Sequence, residues 1–206
     1  MELIRKYFPD LTSQQIKQFE KLMDLIPPLN QKVNVISRKD IEHLEERHIL
    51  HSLSIAKKFS FDSLARIVDV GTGGGFPGVP LAILFPEARF TLVDSISKKV
   101  RLLEELLKEL ELKNASPLCG RMEELNLKAD FVVSRAVTAF PKLHKWTDKL
   151  IIPGSKQSMP NGLISLKGGD LMEELAPFKN KAKLFPLSTW FEESFFSSKM
   201  IVYLKK

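Results

Sequence analysis

The stretch Ile67-Val68-Asp69-Val70-Gly71-Thr72-Gly73-Gly74-Gly75-Phe76-Pro77-Gly78 decides the fold. A short apolar run leads into a turn rich in glycine, and the carboxylate of Asp69 stands just before the first glycine. Glycines cluster where the backbone needs positive φ or must come close to a ligand. The sequence therefore predicts a strand that runs into a cofactor-binding loop.

The glycine spacing leaves two cofactors open. Gly73 to Gly78 fits the GxGxxG pattern of dinucleotide folds, which would set a pyrophosphate against the loop and the following helix. Asp69 adds negative charge there, which suits an ammonium or sulfonium group instead. S-adenosylmethionine carries both groups, so we favour it. Asp94, after the strand-like run Arg89–Val93, can accept both ribose hydroxyls of either cofactor. A glycine-rich turn without a ligand is the third interpretation.

The composition is that of a globular protein. The chain has 206 residues, of which 44% are hydrophobic and 27% charged, enough for one α/β domain with a modest appendage. No apolar run approaches the roughly 20 residues that span a bilayer. Met1–Lys6 lacks the features of a secretory signal, and the single Cys119 can form neither an internal disulfide nor a zinc site. We expect a cytoplasmic, monomeric protein without membrane contact or bound metal.

Two helices are predicted for a small N-terminal appendage, residues 1–62. Leu11 to Ile26 has helical periodicity, with Thr12 or Ser13 as its cap and Pro27-Pro28 as its end. Asp40 is expected to cap the second helix. Its apolar face is supplied by Ile41, Leu44, Ile55, Ala56 and Phe59.

From residue 63 to 206 the pattern changes to alternating strands and helices, typical of a parallel sheet covered on both faces. The predicted strands are Arg66–Val70, Arg89–Val93, Ser116–Leu118, Phe131–Ser134, Leu163–Leu166, Leu184–Ser188 and Met200–Leu204. The clearest helix is Ser97–Leu112, with Asn114 as its stop. Seven strands ending in a hairpin favour the class I S-adenosylmethionine-dependent methyltransferase (Rossmann-like) fold, since a dinucleotide fold normally has six parallel strands.

Ligands of open α/β sheets lie beyond the carboxyl ends of the strands, where Asp69, Asp94, Ser134-Arg135 and Lys167 stand. Arg135 must find a carboxylate, a phosphate or water, and we expect it to help position an anionic substrate. Lys167 either faces the substrate or extends out of the sheet. The segment Gly120–Glu124 can bracket an adenine and accept from its amino group, or it is the solvated start of a helix.

A group of basic residues precedes the glycine loop. The net charge of +6 and the pI near 9.3 favour an anionic partner. Two interpretations explain this basic group equally well, an RNA-binding surface and a solvated helix surface. Its members are Lys17, Lys21, Lys32, Arg38, Lys39, Arg47, Lys57 and Lys58. His48 and His51 share a face of the second helix, beside Ser52, and we interpret them as a surface or interdomain contact rather than as metal ligands or a base.

The absence of two motifs narrows the kinds of methyl-transfer reaction that the chain could catalyse. Ser134-Arg135-Ala136 stands where a methyltransferase of exocyclic amino groups would carry Asn/Asp-Pro-Pro-aromatic, and no Pro-Cys nucleophile is present. Transfer of a methyl group to a ring nitrogen with a free lone pair needs positioning and no strong base. Guanine N7 is such an acceptor.

The chain resembles the bacterial glucose-inhibited division protein B family, guanine-N7 methyltransferases of small-subunit (16S) ribosomal RNA. The resemblance covers nearly the whole chain, and its most specific parts are Asp69–Gly78, Leu92–Ser95, Arg121–Glu124, Ser134–Ala136, Leu166–Gly168 and Arg47–Leu50. Asn30, Asn34, His48 and Ser52 also match, whereas Leu29 and His51 replace a tryptophan and an acid common in the family.

The resemblance implies a pocket for S-adenosylmethionine and a role for each matching residue. Gly71, Phe76, Met122, Glu123 and Arg135 would line the pocket, with Asp94 on the ribose. To these we add Asp69, Gly73 and Ser95 as cofactor-binding candidates, and Arg135 with Lys167 as the residues that position the substrate.

Two other functions are open on sequence grounds. A nicotinamide-dependent reductase would use Gly73 to Gly78 for its dinucleotide. A non-catalytic RNA-binding or assembly module would need only the positive charge, but it has no reason to keep Asp69, Asp94, Glu123 and Arg135, whose burial costs stability.

Overall fold

The chain folds around one seven-stranded sheet. The structure is a computed structural model that describes residues 1–37, 39–155 and 159–206. The strands are β1 (Arg66–Val70), β2 (Arg89–Asp94), β3 (Ala115–Cys119), β4 (Phe131–Arg135), β5 (Gly162–Gly168), β6 (Ala182–Pro186) and β7 (Lys199–Lys205). Their order is β3-β2-β1-β4-β5-β7-β6. The first five run parallel, and β7 lies antiparallel between β5 and β6.

This topology confirms the predicted class I methyltransferase fold and its terminal hairpin. Six strands contain their predicted ranges. The exception is β6, because Leu187 and Ser188 belong to a 3-10 turn, Leu187–Thr189, and not to the strand. The central strands β1 and β4 are almost entirely buried, and apolar residues make up most of each.

Helices cover both faces of the sheet. They are α1 (Glu2–Tyr7), α2 (Ser13–Lys32), α3 (His51–Leu53), α4 (Gly78–Leu84), α5 (Ser97–Glu109), α6 (Phe140–Thr147) and α7 (Met172–Leu175). Short 3-10 turns lie at Met122–Glu124, Asp148–Leu150, Ala176–Phe178, Leu187–Thr189 and Ser194–Ser198. In the part of the chain that the structure describes, none of the helices combines the length and apolar character needed to cross a bilayer.

Helix α2 keeps its predicted start but not its predicted end. The Thr12 hydroxyl accepts from the Gln15 amide at 3.2 Å, and the Gln15 side chain accepts from the Thr12 amide at 2.9 Å. This capping box confirms Thr12 as the cap. The stop at Pro27-Pro28 is wrong, since the helix continues through both prolines to Lys32. Leu29 beyond them is buried, and its packing outweighs the backbone hydrogen bonds that proline removes.

The second predicted helix is irregular and lacks its predicted cap. We call residues 41–57 the mixed helix, because a 3-10 turn (Ile41–His43), a π-helix (Leu44–Leu50), α3 and a second 3-10 turn (Ser54–Lys57) follow one another. Asp40 does not cap it, since its carboxylate accepts from Ser37 and Arg47 instead. The Ser37 hydroxyl accepts from the Asp40 amide at 3.2 Å, so Ser37 and Asp40 hold the turn before the helix, and no side chain caps its first turn.

Helix α5 ends at Glu109, before the predicted stop at Asn114. Glu111 has a φ of +54°, so the chain leaves the helix there through the left-handed region. The Asn114 amide instead donates to the carbonyls of Ala82, Phe85 and Ala88 at 3.0 to 3.1 Å. Asn114 therefore fixes the end of α4 and the turn before β2.

The appendage packs on the sheet domain through shared apolar side chains. One buried cluster joins Phe19 and Ile26 of α2 to Leu103 of α5 and Phe131 of β4. A second cluster fills the opposite face of the sheet, around Phe140 of α6. The mixed helix is thereby held against the carboxyl edge of the sheet.

Candidate functional site

The predicted site residues lie along the carboxyl edge of the sheet in the order of the strands. Met122 and Glu123 follow β3, Asp94 ends β2, Gly71 follows β1 and Arg135 ends β4. Lys167 lies one strand further on, in β5. The edge therefore brings together most of the residues that the sequence selected, from Glu123 at one end to Arg135 at the other.

Asp69 shapes the glycine loop from behind. Its side chain is fully buried, and Oδ2 accepts from the Thr72 hydroxyl at 2.6 Å and from the Gly78 amide at 2.8 Å. A Cβ on Gly78 would lie 2.7 Å from this same oxygen and 2.3 Å from Leu92. Glycine is therefore required at position 78 so that α4 can begin directly on the carboxylate.

Burial raises the pKa of Asp69 to about 7, against the lowering effect of its two hydrogen bonds and of Arg135. Its second oxygen, Oδ1, has no hydrogen-bond partner among the described residues. Asp69 is therefore only partly ionised near neutral pH, and its negative charge close to the loop grows as the pH rises above 7. The contacts of Asp69 support the loop. Its carboxylate would influence a bound cofactor by electrostatic attraction and without direct contact.

Asp94 connects the loop to the next strand. Its Oδ2 accepts from the Gly73 amide at 3.0 Å, and its Oδ1 accepts from the Ile96 amide at 2.9 Å. Lys99, on the first turn of α5, is 4.0 Å from Oδ2. Ser95 beside it is exposed. Asp94 is therefore fixed at the strand end, where a ribose-binding carboxylate was predicted.

Met122 and Glu123 stand in the short 3-10 turn after β3. The Gly120 amide donates to the Asp94 carbonyl at 3.0 Å, which ties this segment to β2. Met122 packs partly against the second core cluster, and the Glu123 side chain is about one third exposed. An apolar side chain and an acid, whose carboxylate lies 3.8 Å from Arg121, thus border the same edge as Asp94.

Arg135 is partly buried and held by the appendage, an arrangement that sequence reasoning missed. Its Nη1 donates to the Arg47 carbonyl at 3.0 Å, and its Nη2 lies 3.0 Å from Nδ1 of His48. The guanidinium also stacks 5.1 Å above the ring of Phe76. Burial lowers the pKa of Arg135 to about 10, so it stays charged at neutral pH.

A cavity of about 390 Å³ lies between the appendage and the glycine loop. Gly71 to Gly74 and Phe76 form one wall, Arg47, His48 and His51 of the mixed helix form the opposite wall, and Arg135 lies between them. The C-terminal hairpin adds Phe195 and Lys199, and α5 adds Lys99. We call it the edge cavity. Its volume is in the range of small-molecule sites.

The edge cavity is electropositive. Four cationic side chains line it, namely Arg47, Lys99, Arg135 and Lys199, against one lining carboxylate, Asp40. Asp40 is paired with Arg47 at 3.0 Å, and the hydrogen bond from Ser37, together with the one from Arg47, lowers the pKa of Asp40. The remaining positive charge favours a ligand that carries phosphate or carboxylate groups.

The two histidines line this cavity from the side of the mixed helix, and an interdomain contact as their role stays a prediction. Burial, and then the charge of Arg135, lowers the pKa of His48 to about 3. Burial also holds the pKa of His51 well below its ordinary value. His51 packs edge-on against Phe195 and Phe196. Both rings are therefore neutral at physiological pH.

Lys167 lies outside the residues that line the edge cavity. Its Nζ donates to the Thr138 carbonyl at 2.6 Å and pairs with Glu174 at 2.7 Å. Glu174 also accepts from the Phe140 amide at 2.5 Å. These contacts fix the loop between β4 and α6, whose Val137 packs on Gly71. A direct role of Lys167 in substrate positioning stays a prediction.

Much of the basic appendage is paired within the protein. Lys21 and Lys32 form ion pairs with Glu109 and Glu105 of α5. Lys57 donates to the Tyr7 carbonyl, and Lys58 lies over the ring of Phe185. Arg38 lies outside the described residues. Of the predicted phosphate contacts, Lys17 and Lys39 form no ion pair with any residue that the structure describes, and Arg47 lines the edge cavity.

Phe195, Lys199 and Lys99 were missed as cavity residues. Lys99 had a weak signal, because it stands one turn into the helix after Asp94. Phe195 and Lys199 come from the hairpin that follows the parallel strands, and their sequence neighbourhood carries no motif. Only the antiparallel insertion of β7 brings them to the site.

Comparisons with known proteins agree with this geometry. Residues 15–190 match the family model described as rRNA small subunit methyltransferase G. A protein of Bacteroides thetaiotaomicron named ribosomal RNA small subunit methyltransferase G is 55% identical over 203 residues, 98% of each chain. A protein of the same name from Christiangramia forsetii is 51% identical, over 99% of this chain and 96% of its own.

A solved structure supports the fold assignment. The S-adenosylmethionine-dependent methyltransferase from Aquifex aeolicus superposes with a TM-score of 0.56, over 82% of this chain and 98% of that chain. The two sequences are 16% identical, so the likeness concerns the fold alone.

Proposed function

The chain belongs to the rRNA small subunit methyltransferase G family, and we propose that it transfers the methyl group of S-adenosylmethionine to N7 of one guanine in small-subunit ribosomal RNA. The observation that carries the proposal is the edge cavity. In it the glycine loop, supported by Asp69, faces the partly buried Arg135 and an appendage that supplies further positive charge.

The residues present fit the cofactor. Asp94, with Ser95, would hold the ribose, and Met122 with Glu123 would border the adenine. Gly71 and Phe76 would contact the methionine end, and Arg135 its carboxylate. No Cβ contact closer than 4.0 Å arises at Gly73, so a ligand can approach the backbone there. Asp69 favours a cationic centre in front of the loop.

When bound, S-adenosylmethionine supplies the methyl group and carries the positive charge on its sulfur. Guanine N7 has a free lone pair, so the site needs no residue to remove a proton. The neutral His48 and His51 are consistent with this, because neither has a pKa matched to a general base at neutral pH. The protein would act by fixing the base in line and by excluding water.

The cations of the edge cavity would bind the RNA backbone beside the target base. Lys199 and Lys99 line the cavity on the side of the hairpin and of α5, and Lys39 stands in the connector before the mixed helix. The substrate we infer is ribosomal RNA within the small subunit or an assembly intermediate of it, bound by a monomer in the cytoplasm.

Methyl transfer in vitro tests the activity and the substrate together. Purified protein and S-adenosylmethionine with a labelled methyl group are incubated with naked 16S ribosomal RNA, assembly intermediates and small subunits that lack the modification. We expect 7-methylguanine at one position. An Arg135→Leu variant should lose transfer, and a His144→Gln variant, remote on α6, should keep it. Label in another base, or none with any substrate, would overturn the proposal.

Two experiments separate the methyltransferase from the two other functions, calorimetric titration for the reductase and a gel shift with a transfer assay for the RNA-binding module. A nicotinamide-dependent reductase would bind NADH and not adenosylhomocysteine, and the acid behind the loop argues against it. A non-catalytic RNA-binding module would shift RNA in a gel without transferring methyl groups to purified subunits.

A further inference from the structure

We propose that the outer face of α6, with the 3-10 turn that follows it, is a second RNA-binding surface, on the side of the sheet opposite the appendage. The inference rests on the proposed function, and it concerns how a large RNA is held while its target base occupies the edge cavity. We call this face the α6 stripe. Its members are Lys142, Lys145, Trp146 and Lys149.

The α6 stripe follows from the periodicity of the helix. The inward positions Phe140 and Leu143 belong to the second core cluster. The four members of the stripe are linked by steps of three or four positions, so they share the opposite face. The three lysines are exposed, and the tryptophan is partly exposed. The outer face of α6 therefore presents three cations around one aromatic ring.

The positive charge of the α6 stripe is not neutralised by the described residues. Its three lysines take part in none of the ion pairs within residues 1–37, 39–155 and 159–206. The carboxylate of Asp148, in the same 3-10 turn, pairs instead with Lys206 at 2.6 Å. In the neighbouring turn Glu123 lies 3.8 Å from Arg121, and Glu124 is exposed. The stripe therefore keeps a net positive charge, which suits a polyanion.

The other long helices differ from α6 in this respect. Helix α2 exposes Lys17 and Glu20, and α5 exposes Arg101 and Glu105, so each carries both signs of charge. Mixed charge is typical of a helix face that meets only water. Cations around an aromatic side chain, without interspersed acids, are typical of surfaces that bind nucleic acid. The charge pattern thus favours RNA as the partner of the α6 stripe.

Both ends of the α6 stripe border the proposed site. Ala136, which lines the edge cavity, begins the loop that leads from β4 into α6. At the other end Lys149 donates to the Glu123 carbonyl at 2.5 Å, in the turn that would border the adenine. Lys142 lies 4.6 Å from the centre of the Trp146 ring, which holds its ammonium group along the stripe. RNA that reaches the edge cavity would therefore lie across the carboxyl edge of the sheet, between the appendage and α6.

The test compares two triple variants that lose the same charge. The first removes the α6 stripe with Lys142→Ala, Lys145→Ala and Lys149→Ala. The control removes exposed lysines near the amino-terminal edge of the sheet with Lys108→Ala, Lys113→Ala and Lys205→Ala. Affinity for 16S ribosomal RNA and for small subunits that lack the modification is measured over a range of salt concentrations.

Loss of the α6 stripe should reduce the slope of log affinity against log salt by about 2 to 3, because each phosphate contact contributes about 0.7 to 0.9. The control variant should keep the wild-type slope. Both variants should bind adenosylhomocysteine as wild type does, which shows that the cofactor site is intact.

Chemical acetylation of lysines, followed by mass spectrometry, maps the same contact in the unaltered protein. The lysines of the α6 stripe should react several-fold more slowly when ribosomal RNA or small subunits are bound. The three control lysines should react at an unchanged rate.

The inference is overturned if the two triple variants have the same salt slope, or if bound RNA does not protect the α6 stripe. Protection by small subunits but not by ribosomal RNA alone would assign the surface to a ribosomal protein and would also overturn it. Failure of the proposed function looks different, since wild-type protein would then form no 7-methylguanine, whereas its salt slope and its acetylation pattern would still be measurable.

Discussion

Replacement of Asp69 by asparagine should change how the stability of the protein depends on pH. Asp69 is fully buried and accepts from Thr72 and Gly78, and its folded-state pKa is about 7, compared with an ordinary 3.8. Asparagine keeps the shape and one acceptor oxygen but cannot ionise. The comparison therefore isolates the free energy of ionising this one carboxyl behind the glycine loop.

The direction follows from the raised pKa. Below about pH 3 the carboxyl is protonated in both the folded and the unfolded chain, and its contribution to stability is complete. As the pH rises toward 7, the unfolded chain ionises first, so stability is lost at about 1.36 kcal/mol per pH unit. The slope falls off near pH 7, where the folded carboxyl itself ionises, so from pH 5 to pH 7 wild type should lose about 2.3 kcal/mol of unfolding free energy relative to Asp69→Asn, with little further change above pH 8.

Urea unfolding at half-unit steps from pH 5 to pH 8, followed by tryptophan fluorescence, measures this difference. Asp170→Asn is a matched control, because Asp170 also accepts a backbone N–H but is exposed. Its pH dependence should equal that of wild type. If the difference between wild type and Asp69→Asn is constant across the range, Asp69 is ionised throughout and its burial does not control its charge.

Three further changes test the other contacts of the site. Arg135→Lys cannot span both of its partners, so calorimetry should show adenosylhomocysteine binding weakened about tenfold or more. If Lys167 and Glu174 act as a pair that fixes the loop after β4, Lys167→Met and Glu174→Gln should each impair cofactor binding. Activity retained in Glu174→Gln but lost in Lys167→Met would favour direct contact of Lys167 with the RNA. Lys199→Ala should reduce the slope of log affinity for ribosomal RNA against log salt by about 0.7 to 0.9. Lys21→Ala, whose lysine is paired with Glu109, should leave that slope unchanged.

The sheet and the glycine loop were predictable because local sequence determines them. The run Arg66–Val70 has apolar residues at three of its five positions, and the glycines that follow include Gly71, Gly73 and Gly75 with positive φ, which other residues rarely adopt. Because the carboxyl ends of parallel strands lie at one edge of the sheet, the positions of Asp94 and Arg135 at that edge were predictable as well.

Partners that come from distant parts of the chain were not predictable. The helix continues through Pro27 because Leu29 is buried in a core that the sequence does not display. Arg135 was expected to meet a carboxylate or a phosphate, yet it donates to His48 and to the Arg47 carbonyl, 87 and 88 positions away. Such pairs depend on how the appendage docks, and no local pattern records that docking.

The central claim is that this site makes 7-methylguanine in small-subunit ribosomal RNA. Mass spectrometry of that RNA from a strain that lacks this protein tests the claim most directly. The same deletion strain carrying the wild-type gene or the Arg135→Leu variant is measured for comparison. We predict that 7-methylguanine is lost at one position in the deletion strain, returns with wild type and stays absent with the variant. If all 7-methylguanine is still in place in the deletion strain, the assignment is contradicted.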